Sequence, residues 1–317
     1  MDDDQIQLEP LATVPQSLPK RSARLSVEAP RPGRWPLVLL VLLLAGVGVE
    51  GVALLIQHGS APAPQEWRAL AEKLRAERKG DEPVLFAPAW SEPVARLHLG
   101  EQIELELLLL SDVDRHARVW EVSSRGARHP WLAGSRPTRD FAFGPLKLAL
   151  HEKRAQRVTF DFTREIRRAR VEKVSGEEAQ RCAWEGKRFT CDSGARWNWV
   201  GPHIAEVGHR PYRCIYAHAV DHQVMRISFR AVPVGKTLVG YTGIDDFESR
   251  KLSKKSVTLT VKLGDRTLGA IRHDSSWPWR RFSLETGATG ERQVVAFEVS
   301  TEGAFARTFC FAAEMRE

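Results

Sequence analysis

The chain of 317 residues has only one long apolar run and only four cysteines, none in a C-x-x-C pair. A single run excludes a polytopic membrane protein, because each helical span needs about 20 predominantly apolar residues. There is no G-x-S-x-G elbow, no H-E-x-x-H helix and no G-x-x-x-x-G-K-[ST] loop. The local arrangements that expose a serine nucleophile, hold a hydrolytic zinc or cradle a phosphate are therefore missing. Lys and Arg are scattered among Glu and Asp without an interleaved aromatic-basic motif, so nucleic acid is not an expected partner. With 43% hydrophobic and 27% charged residues, the chain is neither disordered nor collagenous.

What is present begins with the apolar run, Trp35 to Ile56, whose 22 residues include one ionisable group, Glu50. That length suffices for a transmembrane helix, placed here at 35–57. It exceeds the 7–15 apolar residues of a cleaved signal peptide, so a signal anchor is expected. Lys20, Arg21, Arg24, Arg31 and Arg34 precede it, and the next basic residue is Arg68. Basic residues flank a span on its cytoplasmic side. The expectation is an inner-membrane protein with a cytoplasmic N-terminus and periplasmic C-terminal domains. Glu50 lies six residues from the end of the run; it either reaches the interface or contacts a partner helix. Residues 1–34 carry five basic and five acidic side chains and read as a disordered tail. The exported part then holds 42 basic against 34 acidic residues, an excess that attracts anionic glycans or lipid headgroups.

Beyond a tether at 58–65, two regions differ in period. In 66–150, Trp67, Leu70, Ala71 and Leu74 recur with helical spacing. Residues 83–87 read as a short buried strand, Glu92 to Leu99 as a helix with Ser91 as its N-cap, and Arg118 to Ser123 as another strand. This order predicts a small α/β module with a parallel strand pair. No G-x-G-x-x-G follows either strand, so a dinucleotide site has no support. In 151–317, alternation is seen at Val158, Phe160 and Phe162, at Met225, Ile227 and Phe229, at Val257 to Leu263, and less cleanly at Phe305 to Phe311. Gly264-Asp265 reads as a hairpin turn. Many short alternating strands predict an antiparallel β-sandwich. The fold class expected for the whole is α+β.

All four cysteines lie in the second region, in a compartment that permits disulfides. Of three pairings, Cys182–Cys191 across a turn at Glu185-Gly186-Lys187 and Cys214–Cys310 are favoured; zinc is the rival use of these residues. His218, Asp221 and His222 have a spacing that chelates a metal on a helix but not at a strand end. The acidic loop Asp245, Asp246, Glu248 offers oxygen donors, so calcium is the ion it would take; an Asx turn is the alternative, and no other cofactor is expected. Trp277 and Trp279, and likewise Trp197 and Trp199, fall on one face if extended. Together with Tyr241 they either pack in the β core or form a platform for sugar rings.

Two resemblances follow from longer segments. The run from Gly235 to Asp246 (GKTLVGYTGIDD), the strand VTLTVKLGDRTLG, then SWPWRRFSLET and QVVAFEVS resemble galactose-binding-like jelly-roll domains. This resemblance implies a sandwich that binds carbohydrate at loops or serves a structural role. LAEKLRAERKGDEPVLFAPAWSEPVARLHLG followed by RVWEVSSRG resembles the soluble segment of polyprenyl-phosphate-sugar-dependent membrane glycosyltransferases. Their many spans and catalytic acidic loop are absent, so transferase activity is not implied. The whole resembles single-span envelope proteins of Gram-negative bacteria. The function expected is a non-catalytic glycan-binding or glycan-assembly accessory, with a glycan or lipid-linked sugar as ligand. The alternatives are a structural subunit with an envelope protein partner, or a glycan hydrolase.

Overall fold

The computed structural model describes residues 35–59, 61–191, 197–249, 255–274, 278–287, 289–305 and 307–317, without the side chains of 36, 53–59, 101, 105, 248 and 249. It forms two units, divided after Gly59. In the first, the apolar run is a helix, α1 (Trp35–Gly59). Among the described residues, no helix is long and apolar enough to cross a membrane. The described side chains of α1 are Trp35 and residues 37–52, so the span expected at 35–57 lies partly outside the described residues.

The second unit opens with α2 (Pro64–Glu77), whose four spaced apolar residues are all buried. A proline at its start and the Glu66 carboxylate accepting the Ala63 N–H at 2.7 Å fix its N-terminus. Strand β1 (Val84–Ala87) runs parallel to β2 (Arg118–Ser124), as the element order predicted. Strands β3 (Arg139–Phe143) and β4 (Leu146–Glu152) complete a sheet in the order β1-β2-β4-β3. Helices α2 and α3 (Glu92–Leu99) cover one face, enclosing Trp67, Leu70, Leu74, Phe86, Trp120 and Leu148. Fully burying each aliphatic or aromatic side chain contributes about 1.5–3 kcal/mol. Ser91 does not cap α3 with its side chain. Its backbone is already helical, and its hydroxyl donates back to the Pro88 carbonyl at 2.7 Å.

The remainder is a sandwich of two antiparallel sheets, consistent with a jelly roll. The smaller sheet contains β6 (Arg170–Ser175), β7 (Glu178–Arg181), β12 (Val224–Pro233), β14 (Val257–Leu263), β15 (Arg266–His273) and β17 (Arg292–Thr301). The larger contains β5 (Val158–Asp161), β8 (Ala183–Trp184), β9 (Phe189–Thr190), β10 (Trp199–Val207), β11 (Arg210–Ala217), β13 (Thr237–Ile244), β16 (Arg280–Glu285) and β18 (Phe309–Arg316). Apolar alternation directs one side of each strand into the shared core, where Phe162, Phe229 and Phe297 meet edge to face at about 5–6 Å. Gly264-Asp265 is the β14–β15 turn, and the pairs Cys182–Cys191 and Cys214–Cys310 are disulfides. The last strand starts only at Phe309: the alternation anticipated from Phe305 is interrupted where Arg307, fully buried, makes a turn with Ala304.

The module is held on the outer face of the larger sheet by the loop 109–115, with Glu106 pairing Arg213 and Arg210 reaching Trp131 and His129 beside it. The Leu109 carbonyl accepts the Arg213 N–H at 3.1 Å. Asp112 receives Arg316 at 2.9 and 3.1 Å and the Tyr241 hydroxyl at 2.5 Å. Arg115 bridges Asp161 at 3.1 Å and Glu314 at 2.7 Å. Arg316 is 3% exposed and Asp112 9%, so neither charge is solvated in place of its partner. Arg316 also holds Glu314 at 2.8 Å, so deleting Asp112 leaves its charge matched but strips the Tyr241 hydroxyl and one guanidinium edge of their buried acceptor, typically at a cost of about 1–3 kcal/mol. Asp112→Ala is therefore expected to lower unfolding free energy by about 1–3 kcal/mol in urea titration. A loss below about 1 kcal/mol would show that the pair does not hold the module.

Candidate functional site

Residues on the larger sheet alternate between core and outer face, and β10, β11 and β13 present aromatics outward around the Cys214–Cys310 disulfide, whose Cys310 lies on β18. On one side of it, Trp199 of β10 stacks on Tyr216 of β11, with centroids 3.9 Å apart and planes 23° apart. The His203 ring meets Trp199 edge-on at 5.8 Å, and the Arg188 guanidinium lies 5.2 Å from the Trp199 ring. Trp197, half exposed, packs against His218 at 4.7 Å, and the Tyr216 hydroxyl is 2.9 Å from His218 Nδ1.

On the other side, Trp279 stacks with Tyr212 at 4.8 Å and 16°, and lies parallel to Tyr241 at 6.1 Å and 9°. Gly243 is required beneath it: a Cβ there would lie 2.6 Å from Trp279 Cε3. Facing these rings is Trp131, carried by the loop before β3. The Arg210 guanidinium spans the gap, 5.0 Å from the Trp131 ring and 5.8 Å from that of Tyr212. Trp131, Tyr212, Tyr241 and Trp279 line a cleft of about 350 Å³ with Ser111, Asp112, Asp114 and Arg281 at its polar wall. Trp279 Nε1 is buried without a hydrogen-bond partner. Such a donor carries a desolvation penalty until an acceptor reaches it.

The charges of this wall are set by their neighbours. Burial pushes the Asp114 carboxyl up, but the hydrogen bond and charge of Lys153, with the charges of Arg316 and Arg281, outweigh it and hold Asp114 below the usual range. Burial, then the Asp112 charge and its hydrogen bond, push the Tyr241 hydroxyl far up, so it serves as a donor. Burial also raises Glu314 despite Arg316 and Arg115.

Four of the five anticipated aromatics, Trp197, Trp199, Trp279 and Tyr241, thus lie on one sheet face; Trp277 lies outside the described residues. Tyr241 is 6% exposed and its hydroxyl is committed to Asp112. Trp131, Tyr212, Asp114 and Arg281 were not anticipated. Only Tyr212 carried a signal, the alternation of Tyr212, Cys214 and Tyr216 along β11. In the acidic loop, the Asp245 and Asp246 carboxylates accept backbone N–H groups. Asp246 accepts the Gly208 and His209 N–H groups, each at 2.8 Å, and Asp245 accepts those of Phe247 at 3.0 Å and Glu206 at 3.3 Å. The Glu248 side chain lies outside the described residues. Among the described residues, the group with metal-ligand spacing is instead Glu206, His209 and Asp246, with ligand atoms within 4.8 Å of one another. His218 and His222 are not among them.

No family model matches the chain, and no curated protein matches it. Solved structures similar to parts of it are carbohydrate-binding modules. The tandem CBM51 modules of Sp3GH98, the family 98 glycoside hydrolase of Streptococcus pneumoniae, are 13% identical over 55% of this chain and 54% of that one, with a TM-score of 0.33. CBM51 from Clostridium perfringens GH95, solved with methyl-galactose, is 10% identical over 45% and 90%, with a TM-score of 0.28. The CBM51-2 and INT domains of Clostridium perfringens ZmpB, solved with GlcNAc, are 13% identical over 37% of this chain, which covers only 25% of theirs, with a TM-score of 0.29. At TM-scores below 0.5 these likenesses define neither the fold nor the function of this chain.

One wall of the cleft depends on a neutral imidazole. His129 is 3% exposed, its Nδ1 accepts the Trp131 N–H at 3.2 Å, and burial, then the Arg210 charge, hold its pKa down at about 4. Between its ordinary value and about 4, the unfolded chain binds a proton that the folded chain does not. Its contribution is therefore intact above the ordinary value and is lost as pH falls through this window, by up to about 3 kcal/mol. Burial lowers His116, His151 and His203 too, and they act with the same sign. Thermal unfolding should show a falling midpoint from pH 6.5 to 4.5, with a shallower fall in His129→Asn, which keeps the acceptor but does not titrate. Parallel curves for the two proteins would remove His129 as a cause.

Proposed function

We propose that residues 60–317 bind a glycan in the cleft between Trp131 and the Trp279–Tyr212–Tyr241 stack, and that α1 anchors the chain in the inner membrane. The observation that carries the binding reading is the cleft at Trp279: a parallel ring stack facing Trp131 beside a polar wall of Ser111, Asp114 and Arg281. Pyranose rings offer both complements, an apolar C–H face for an aromatic surface and hydroxyls for polar and charged side chains. The fixed charges of Asp114 and Arg281 would orient such a ligand, as the few polar groups of a mostly apolar pocket do. The pair Trp199–Tyr216, on the far side of the disulfide, offers a second aromatic surface for a longer chain of sugars. Non-catalytic binding is favoured because the polar groups here are engaged in holding the module. Anchoring is supported by the apolar run and by the basic residues before it, and a periplasmic site for 60–317 by two disulfides, which suit an oxidising compartment.

A glycan array followed by fluorescence titration of the positive sugar tests this. Trp279→Ala should weaken binding at least tenfold, about 1.4 kcal/mol; Gly243→Ala should do the same and also lower the thermal midpoint, because its Cβ overlaps Trp279 and Val207. Trp199→Ala should lose affinity only for longer oligomers. An array without binders, or a Trp279→Ala chain that binds as the parent does, sinks the proposal.

A further inference from the structure

α2 and α3 pack together with their buried faces inward, and α3 leaves an apolar stripe outward. Trp90, Val94 and Leu97 follow helical spacing and are 65%, 43% and 82% exposed, whereas Ala95 and Leu99 on the opposite face are buried. Three neighbouring apolar side chains of this size, one a tryptophan, form a patch that a water-facing helix does not normally keep. Its place in the chain indicates what covers it. Trp67, in the first turns of α2, stacks on His98, in the last turn of α3, with centroids 5.5 Å apart and planes 6° apart. The Leu97 end of the stripe therefore sits beside the start of α2. Residues 60–63 alone connect α1 to Pro64, and an extended chain covers about 3.3–3.6 Å per residue. Whatever surface α1 is embedded in thus lies within about 18 Å of Pro64. Exposed Arg68 on α2 and Arg96 on α3, which also pairs with Glu92, supply cationic heads on long apolar stems next to the stripe.

We propose that the Trp90–Val94–Leu97 stripe docks into the headgroup and upper acyl region of the bilayer that holds α1. The proposal rests on the anchoring reading above. Tryptophan is favoured at that depth, and basic side chains beside it meet anionic lipid phosphates. Docking there holds the module against the membrane in one orientation. The same geometry keeps the glycan cleft at a constant height, suited to a ligand that is itself lipid-linked.

The test uses the full chain in vesicles of zwitterionic and anionic phospholipid at three to one. A cysteine carrying an environment-sensitive fluorophore is placed by Leu97→Cys, by Val94→Cys and, as the control, by Val294→Cys on β17, which is 43% exposed. All three positions are at the surface, so the cores are untouched. Spin-labelled lipid quenching at 94 and 97 should exceed that at 294 by at least twofold, with a blue-shifted emission. Equal quenching at 97 and 294 in a chain that resists carbonate extraction overturns docking and leaves the anchor standing. Extraction of the chain by carbonate overturns the anchor and docking together. Protection at 97 from aqueous iodide without lipid quenching identifies a protein surface as the occupant and overturns the lipid.

Discussion

The carboxylate of Asp112, enclosed by the Arg316 guanidinium and the Tyr241 hydroxyl, is the contact on which the second unit depends. Both charges are out of water, and the carboxylate has no solvent to replace these donors. The pair also constrains β18. Phe309, Phe311, Ala313 and Met315 of that strand point into the sandwich, and Cys310, Glu314 and Arg316 point away. A shift of one residue would put Glu314 and Arg316 into the phenylalanine core and take Cys310 from its partner. Register, disulfide and docking of the module are thus one requirement met three ways.

The aromatic cleft is a product of the same loop. Asp112 fixes Tyr241, Asp114 faces Arg281 at 3.7 Å and binds Lys153 at 2.9 Å, and Val113 packs beside Trp131. Trp131 belongs to the module, whereas Trp279, Tyr212 and Arg210 belong to the sandwich. The cleft exists only while the two are docked. Arg210 strengthens this dependence, because its guanidinium covers one ring from each side. His129 is its unusual member, a buried imidazole kept neutral beside that cation.

Much of the local architecture was legible in the residues. Helical spacing at Trp67, Leu70, Ala71 and Leu74, alternation along Val257 to Leu263, and the even cysteine count each report a strong local rule. Where expectations failed, a nearby partner had overridden the rule. Ser91 has a cap residue's identity, but its hydroxyl turns to Pro88. Phe305 and Arg307 continue a period-two pattern into what is a turn.

Composition and periodicity were enough to determine the apolar helix, the order of elements in the module, the sandwich and its sulfur pairs, because each depends on residues close in sequence or on a count. Tertiary structure alone decided which aromatics meet. Trp131 and Trp279 are separated by most of the sandwich sequence, and they face one another only because a buried charge pair brings the 109–115 loop onto the outer sheet. A side chain's period shows that it points outward, but what it meets there depends on a distant segment. That is why five aromatics could be singled out from the sequence, while the cleft that Trp279 and Tyr241 help to form could not.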